Sequence, residues 1–148
     1  QHLYQVGSMG CAAPMGLGVA LNTDKRVVVI DGDGAAMMKL GALATIGAYA
    51  PNNLLHIIMD NAAYESTGGQ PTVSASVDFA GVAAACGYKE AFTCDSLDGL
   101  EKVIAETASK PGPHLVHMII KAGHPDTLGR PTIKPPEVAR RFKDFITS

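Results

Sequence analysis

The chain has 148 residues, 47% of them hydrophobic, enough for one domain with a real core and too few for a second of comparable size. Its 12 basic and 14 acidic residues leave a net charge of −2 with no basic run, which excludes capture of nucleic acid or an acidic membrane through the bulk field. No apolar stretch reaches the roughly 20 residues of a membrane span and no signal layout opens the chain, so a cytoplasmic location and no membrane contact are expected. Cys11, Cys86 and Cys94 lack C-x-x-C spacing and are expected as buried small hydrophobes in a reducing compartment. The first residue is Gln1 rather than Met; a processed chain, a subunit of a split enzyme or a fragment all fit.

In chain order, Gly7-Ser8-Met9-Gly10 is a small-residue turn leading into Cys11 to Leu21, an uncharged stretch that predicts a helix buried nearly all round. Val27 to Ile30 predicts a buried strand, Gly32-Asp33-Gly34 a tight turn, and Ala35 to Tyr49 a helix. Leu54 to Met59 is another buried strand, ending in Asp60-Asn61. Residues 61–77 show no clear period and read as a long loop, which in a compact domain is usually functional or mobile. Asp78 caps a short helix through Cys86, Tyr88 to Thr93 suits a strand, and Ser96 precedes a helix reaching about Ala108. Leu115 to Ile120 is a further buried strand, and Ala122 to Lys134 a connector or surface arm. Pro135-Pro136-Glu137 opens a last helix with Val138, Phe142, Phe145 and Ile146 on one stripe.

Apolar strands alternating with helices and joined by short connections predict an α/β fold, a mainly parallel central sheet in a three-layer α/β/α sandwich. Right-handed crossover puts the ends of the first two strands, hence Asp33 and Asn61, on one rim. Ligands bind at the carboxyl-end rim of such sheets. A carboxylate there repels a phosphate unless a hard cation lies between them, and Mg²⁺ usually combines one or two carboxylates with phosphate oxygens. Asp33 therefore reads as a metal ligand more readily than as a direct phosphate contact. Two other readings stand beside it: an ordinary Asp-Gly turn, or the start of a calcium loop, which lacks its third acidic position at Ala35.

Gly32-Asp33-Gly34 followed by Asp60-Asn61, with Gly7-Ser8-Met9-Gly10 ahead, resembles the diphosphate-binding domain of thiamine diphosphate enzymes. The resemblance covers almost the whole chain. It implies a thiamine diphosphate site touching Gly7, Ser8, Met9, Gly32, Asp33, Gly34, Ala35, Asn61, Ala63 and Tyr64. It also implies Mg²⁺ held by the side chains of Asp33 and Asn61 and the backbone carbonyl of Ala63. The Gly7 carbonyl would accept from the aminopyrimidine, and Met9 would wedge between the two rings. Asp60 stands where the family usually has a first Asn, a departure of little consequence for the ligand set. Glu65-Ser66-Thr67-Gly68-Gly69-Gln70-Pro71-Thr72 and Leu128-Gly129-Arg130-Pro131-Thr132 resemble the branch that decarboxylates 2-keto acids bearing a phosphonate or a sulfonate.

The resemblance further implies that residues 1–148 form a single cofactor-binding domain. The family's pyrimidine-binding domain, with its activating glutamate, matches no segment here, so the chain alone is expected to be inactive. It is expected to work with that domain or subunit in a homo- or hetero-oligomer. Glu65 is a candidate acid or base, against the common reading of a solvated loop glutamate. Ser66, Thr67, Gly68 and Gly69 are a candidate anion nest. No histidine has a context that points to catalysis: His56, His114 and His117 read as hydrogen-bonded core or rim residues. Arg130 and Lys134 are candidate contacts for a substrate anion or a neighbouring subunit, or solvated connector residues.

Overall fold

A computed structural model describes every residue except Pro125 and Arg130. Arg130, a candidate anion contact, thus lies outside the described residues. The chain forms two compact units, Met9–Ala122 and a smaller one made of Gln1–Ser8 with Gly123–Ser148.

In the larger unit four strands, β1 (Val27–Gly32), β2 (Leu54–Asp60), β5 (Glu90–Cys94) and β6 (His114–Ile119), form one parallel sheet in the order β1-β2-β6-β5. The two central strands are nearly continuous apolar runs buried on both faces, as parallel strands under two helical layers require. On one face Val29, Leu54, Ile58 and Leu115 pack with α1 (Ala12–Ala20), α3 (Gly41–Tyr49) and α4 (Phe79–Ala85) through Leu17, Leu43, Ile46, Phe79 and Ala83. On the other, Leu55, Ile57, Val116 and Met118 pack with Val103 of α5 (Leu97–Thr107). Asp78 accepts from the Gly81 N–H at 2.9 Å and Ser96 from the Gly99 N–H at 3.3 Å, so both expected caps form.

Four expectations need correction. β1 is an edge strand rather than a buried one: Val28 is 49% and Ile30 67% exposed, because α5 does not extend over that side of the second face. α1 is not buried all round, since Pro14, Met15 and Gly18 face outward while Ala13, Gly16, Leu17 and Ala20 are buried. The single helix expected from Ala35 to Tyr49 is two, α2 (Asp33–Met38) and α3, interrupted at Lys39 (φ −133°, ψ 40°) just before Gly41, a weak helix former. Residues 61–77, read as an irregular loop, contain a β-ribbon of β3 (Ala63–Tyr64) and β4 (Gln70–Pro71) with 3₁₀ turns at Glu65–Thr67 and Ser74–Ser76.

In the smaller unit α6 (Pro135–Thr147) starts on its two prolines, with Glu137 in the first turn. Val138 on its apolar stripe is buried, Phe142 and Ile146 half-buried, and Phe145 exposed. Arg141 donates to the His2 carbonyl at 3.0 Å, and Lys134 is the exposed N-cap. Among the described residues no helix is long and apolar enough to cross a membrane.

Candidate functional site

Because β1 and β2 are parallel neighbours, with Gly32 opposite Met59, the turns leaving them lie side by side at one rim. Asp33 begins α2, and the turn after β2 carries Asn61, Ala62 and Ala63. A cavity of about 320 Å³ opens between them, at the lower end of the range for small-molecule sites. Its walls are Gly32 to Ala35 from the first turn, Asn61 and Ala63 to Ser66 from the second, and Met9, Met59 and Ile120. Asp33, Asn61 and Ala63 are thus brought together, as are Met9, Gly32, Gly34, Ala35 and Tyr64.

Asp33 is 1% exposed, a carboxylate buried at the edge of an open cavity. Its Oδ2 accepts from the Thr72 hydroxyl at 2.5 Å. The Asn61 Oδ1 accepts from the Ala63 N–H at 3.0 Å, keeping a second lone pair, while its Nδ2 donates to Glu65 Oε2 at 3.3 Å. Glu65 is otherwise exposed, so its clearest contact is with the Asn61 amide. Ala62 sits between the two candidate ligands at φ 57°, a left-handed conformation that costs a non-glycine residue about 1 kcal/mol or more. Gly34 lets the Tyr64 ring pack close on that turn: a Cβ there would lie 2.3 Å from the ring, which would have to move aside.

The carboxylate, carboxamide and backbone carbonyl are all oxygen donors, suited to a hard cation such as Mg²⁺. Among the described residues no three His, Cys, Asp or Glu side chains gather as a metal cluster, so nitrogen- and sulfur-rich sets are not what this rim offers. The three cysteines are free and half-buried.

Beneath the rim lie two carboxylate–imidazole pairs. Asp60, 8% exposed, accepts from the Ser74 hydroxyl at 2.8 Å and the Ala62 N–H at 2.9 Å, and its Oδ2 lies 2.8 Å from His117 Nε2. Burial raises the Asp60 carboxyl, but the His117, Ala62 and Ser74 hydrogen bonds outweigh it and hold it below the usual carboxylate value. Phe79 meets the His117 ring edge-on, with centroids 5.0 Å apart. Asp31 and His56 form the second pair, Oδ2 to Nε2 at 3.7 Å, with His56 Nδ1 also 3.4 Å from the Tyr88 hydroxyl. These histidines are packed core residues, as the sequence indicates. Asp60 is a hydrogen-bonding hub beneath the turn, a structural role beside the ligand set.

Thr72 and Ser74 as partners of Asp33 and Asp60, and His117 as the anchor of Asp60, leave no short-range mark in the sequence. A polar residue on the inward parity of a buried strand, His117 between Leu115 and Ile119, was the one available signal. Gly7 and Ser8 belong to the smaller unit, at φ 78° and 52°, and the Gln5 side-chain amide donates to both carbonyls, at 3.1 and 2.6 Å. Thr67 and Gln70 bond to one another and to the ribbon backbone, so the expected nest region is tied largely to itself. A separate cavity of about 430 Å³ in the smaller unit, between Tyr4, Gly129, Pro131, Thr132, Ile133 and Arg141, gathers no carboxylate.

Residues 2–118 match the family described as thiamine pyrophosphate enzyme, C-terminal TPP binding domain. The chain belongs to this family. It is similar to phosphonopyruvate decarboxylase of Streptomyces viridochromogenes, 55% identical over 148 residues, covering 100% of this chain and 37% of the relative. It is also similar to sulfopyruvate decarboxylase subunit beta of Methanococcus maripaludis, 36% identical, covering 99% of this chain and 78% of that subunit. An X-ray structure of a protein from Mycobacterium smegmatis shares the fold with a TM-score of 0.67 at 24% identity, over 79% of this chain and 23% of its own. The chain therefore spans little more than a third of the phosphonopyruvate decarboxylase it matches. The TPP binding domain of this family accounts for the expected thiamine diphosphate ligand and the parallel α/β fold.

Proposed function

We propose that the chain is the diphosphate- and Mg²⁺-binding half of a thiamine diphosphate-dependent 2-keto acid decarboxylase that converts 3-phosphonopyruvate and a proton to phosphonoacetaldehyde and CO₂. What carries the cofactor half is the convergence of Asp33, Asn61 and Ala63 on one cavity at the sheet's carboxyl rim. The substrate half rests on 55% identity, along the full chain, to a protein named phosphonopyruvate decarboxylase.

Asp33 and Asn61 would offer side-chain oxygens and Ala63 its carbonyl to Mg²⁺, and through that cation would anchor the diphosphate at this rim. Gly32, Gly34 and Ala35 form the cavity wall at the first turn, and the Tyr64 ring packs on Gly34 to close one side. Met9, on the cavity wall, would lie against the cofactor's rings. Thiamine diphosphate, when bound, supplies the electron sink for loss of CO₂. The protein's share is orientation, exclusion of water and the placing of protons, and Glu65 is the residue of this chain available to hold one at the cavity mouth. The activating carboxylate belongs to a pyrimidine-binding domain or subunit outside these residues, in a cytoplasmic homo- or hetero-oligomer.

A second reading is a sulfopyruvate decarboxylase beta subunit, favoured by the 78% of such a subunit that the chain spans. Turnover of 3-phosphonopyruvate and of sulfopyruvate by the full enzyme separates the two. Efficient release of CO₂ from the phosphonate and not the sulfonate is expected, and the reverse preference would replace the first reading with the second. Omission of Mg²⁺ from a chelator-treated sample is expected to abolish turnover, and undiminished turnover would remove the metal from the site.

A further inference from the structure

We propose that Thr72 and Ser74 are positioning residues for the metal, two arms of a clasp that fixes the distance between the halves of its ligand set. This rests on the reading of Asp33 and Asn61 as Mg²⁺ ligands. Those residues leave different strands, and Mg²⁺ demands near-ideal octahedral geometry at about 2.0–2.1 Å, so their separation has to be set by something stiffer than two turns.

Beyond the β1–β2 pairing, hydrogen bonds through residues 72 and 74 bridge the two halves. Thr72 Oγ1 donates to Asp33 Oδ2 at 2.5 Å, across 39 positions of sequence. The Thr72 N–H donates to the Ala62 carbonyl at 2.9 Å, within the turn that carries Asn61 and Ala63. Two residues on, the Ser74 hydroxyl, in a residue 4% exposed, donates to Asp60 Oδ1 at 2.8 Å. The Ser74 N–H donates back to Thr72 Oγ1 at 3.3 Å, so the two arms are locked to each other. Asp60 is anchored from behind by His117 on β6. The path from Asp33 through Thr72, Ser74 and Asp60 to Asn61 joins β1, the 72–74 segment and β2, and the pairing of Gly32 with Met59 closes it. A hydroxyl has one proton to give. Thr72 gives its proton to one oxygen of Asp33, fixing the carboxylate plane.

The later part of the segment that reads in the sequence as a long loop thus has a task at the metal. Outer-shell partners of this kind typically carry about 10- to 100-fold in metal affinity. Removing a clasp arm loosens the ligand spacing, which penalises Mg²⁺ more than the larger, geometrically tolerant Ca²⁺.

The test is calorimetric titration of the full enzyme with thiamine diphosphate at graded Mg²⁺ or Ca²⁺, on the wild type, Thr72→Val, Thr72→Ser, Ser74→Ala and the exposed Ser76→Ala, with circular dichroism checking the fold. Thr72→Val and Ser74→Ala are expected to weaken Mg²⁺-dependent binding about tenfold or more and to narrow the preference for Mg²⁺ over Ca²⁺. Thr72→Ser, which keeps the hydroxyl, and Ser76→Ala are expected to match the wild type. Wild-type affinity and preference in both hydroxyl-deleted variants would overturn the clasp, as would equal weakening with both cations. If Thr72→Val does not fold, Ser74→Ala decides alone. Asp33→Ala separates the two layers: if it abolishes binding while the clasp variants are silent, only the clasp fails. If it too is silent, the metal reading fails and the clasp with it.

Discussion

Replacing Gly47 with alanine in α3 sets two effects of known size against each other. In an exposed helix interior Gly→Ala stabilises by about 1 kcal/mol, through helix propensity and a less costly unfolded chain. At Gly47, however, a Cβ would lie 1.8 Å from the Cys86 carbonyl oxygen and 2.6 Å from its carbon, both backbone atoms. Restoring ordinary contact requires α3 and the end of α4 to part by about 1.5 Å in an interior packed at crystal-like density. That movement opens the interface formed by Leu43, Ile46 and Ala83, each at most 2% exposed. Overpacking of this kind costs typically about 1–3 kcal/mol, and more where backbone must move, so the clash wins. A net loss of about 2 kcal/mol is expected. Gly18 in α1 is the control: it is exposed and nothing lies within 4 Å of its would-be Cβ, so Gly18→Ala is expected to stabilise by up to about 1 kcal/mol. Equilibrium urea unfolding of the two variants beside the parent chain measures both. The two variants moving in the same direction by similar amounts would refute the close α3–α4 approach. Because Phe79 at the start of α4 rests on His117, Gly47→Ala is also expected to weaken cofactor binding, which Gly18→Ala leaves unchanged.

Gly34→Ala places a methyl carbon 2.3 Å from the Tyr64 ring, so the ring has to swing toward the cavity mouth. We expect cofactor affinity of the full enzyme to fall about tenfold, as about 1–2 kcal/mol of strain implies, and the tyrosine emission of the isolated chain, which holds no tryptophan, to change; unchanged emission and affinity would count against that contact. Acid stability has two limbs. His114 is 2% exposed with Nδ1 unpartnered, and burial, opposed by Glu90 and reinforced by Arg26 and Lys110, lowers its pKa below the usual 6.5. The unfolded chain therefore takes up that proton first, and stability should fall as pH drops below about 6.5. Asp60, held below its usual value, contributes stability that is complete above about pH 4 and is lost as pH falls through its folded value. Urea midpoints between pH 7.5 and 3 for the parent and His114→Gln check this: a variant that still loses stability between pH 7 and 5.5 as the parent does would rule out His114 as the cause. Ala62→Gly relieves the left-handed strain at φ 57° but adds chain entropy, for a net gain of about 0.5 kcal/mol. A substantial loss of melting temperature would show that the methyl group packs usefully.

Whatever depends on local pattern is legible in the sequence. The apolar runs at β1 and β2, each ending in a polar turn, are enough to place Asp33 and Asn61 on one rim, and Asp78 and Ser96 mark their helices. What escapes depends on which elements become neighbours. The edge position of β1, which leaves Val28 and Ile30 exposed, follows from a sheet order that a run of valines does not encode. The Thr72–Asp33 and His117–Asp60 contacts span 39 and 57 positions, so neither leaves a short-range signature. The ribbon of β3 and β4 pairs two residues with two, too few for a period to show.

The charge at the rim explains why a second carboxylate beside the ligand set need not spoil a diphosphate site. On the proposed reading the protein gives the cation one full negative charge, from Asp33, and two neutral oxygens, so Mg²⁺ keeps a net positive charge toward the phosphates. An uncompensated anion about 4 Å from a phosphate would cost on the order of 4 kcal/mol at the effective dielectric of a protein surface. Asp60 adjoins Asn61 and carries such a charge, but three donors engage it: the Ser74 hydroxyl, the Ala62 N–H and His117. Its charge is directed into those bonds on the buried side of the turn. An Asn there would keep the acceptor for Ala62 and Ser74 while losing the charge-assisted contact to His117, about 1.5–3 kcal/mol for a hydrogen bond to a charged group. The exchange to Asp therefore replaces a neutral turn with a more firmly anchored one, and this rim tolerates it because β6 presents an imidazole where it meets the end of β2.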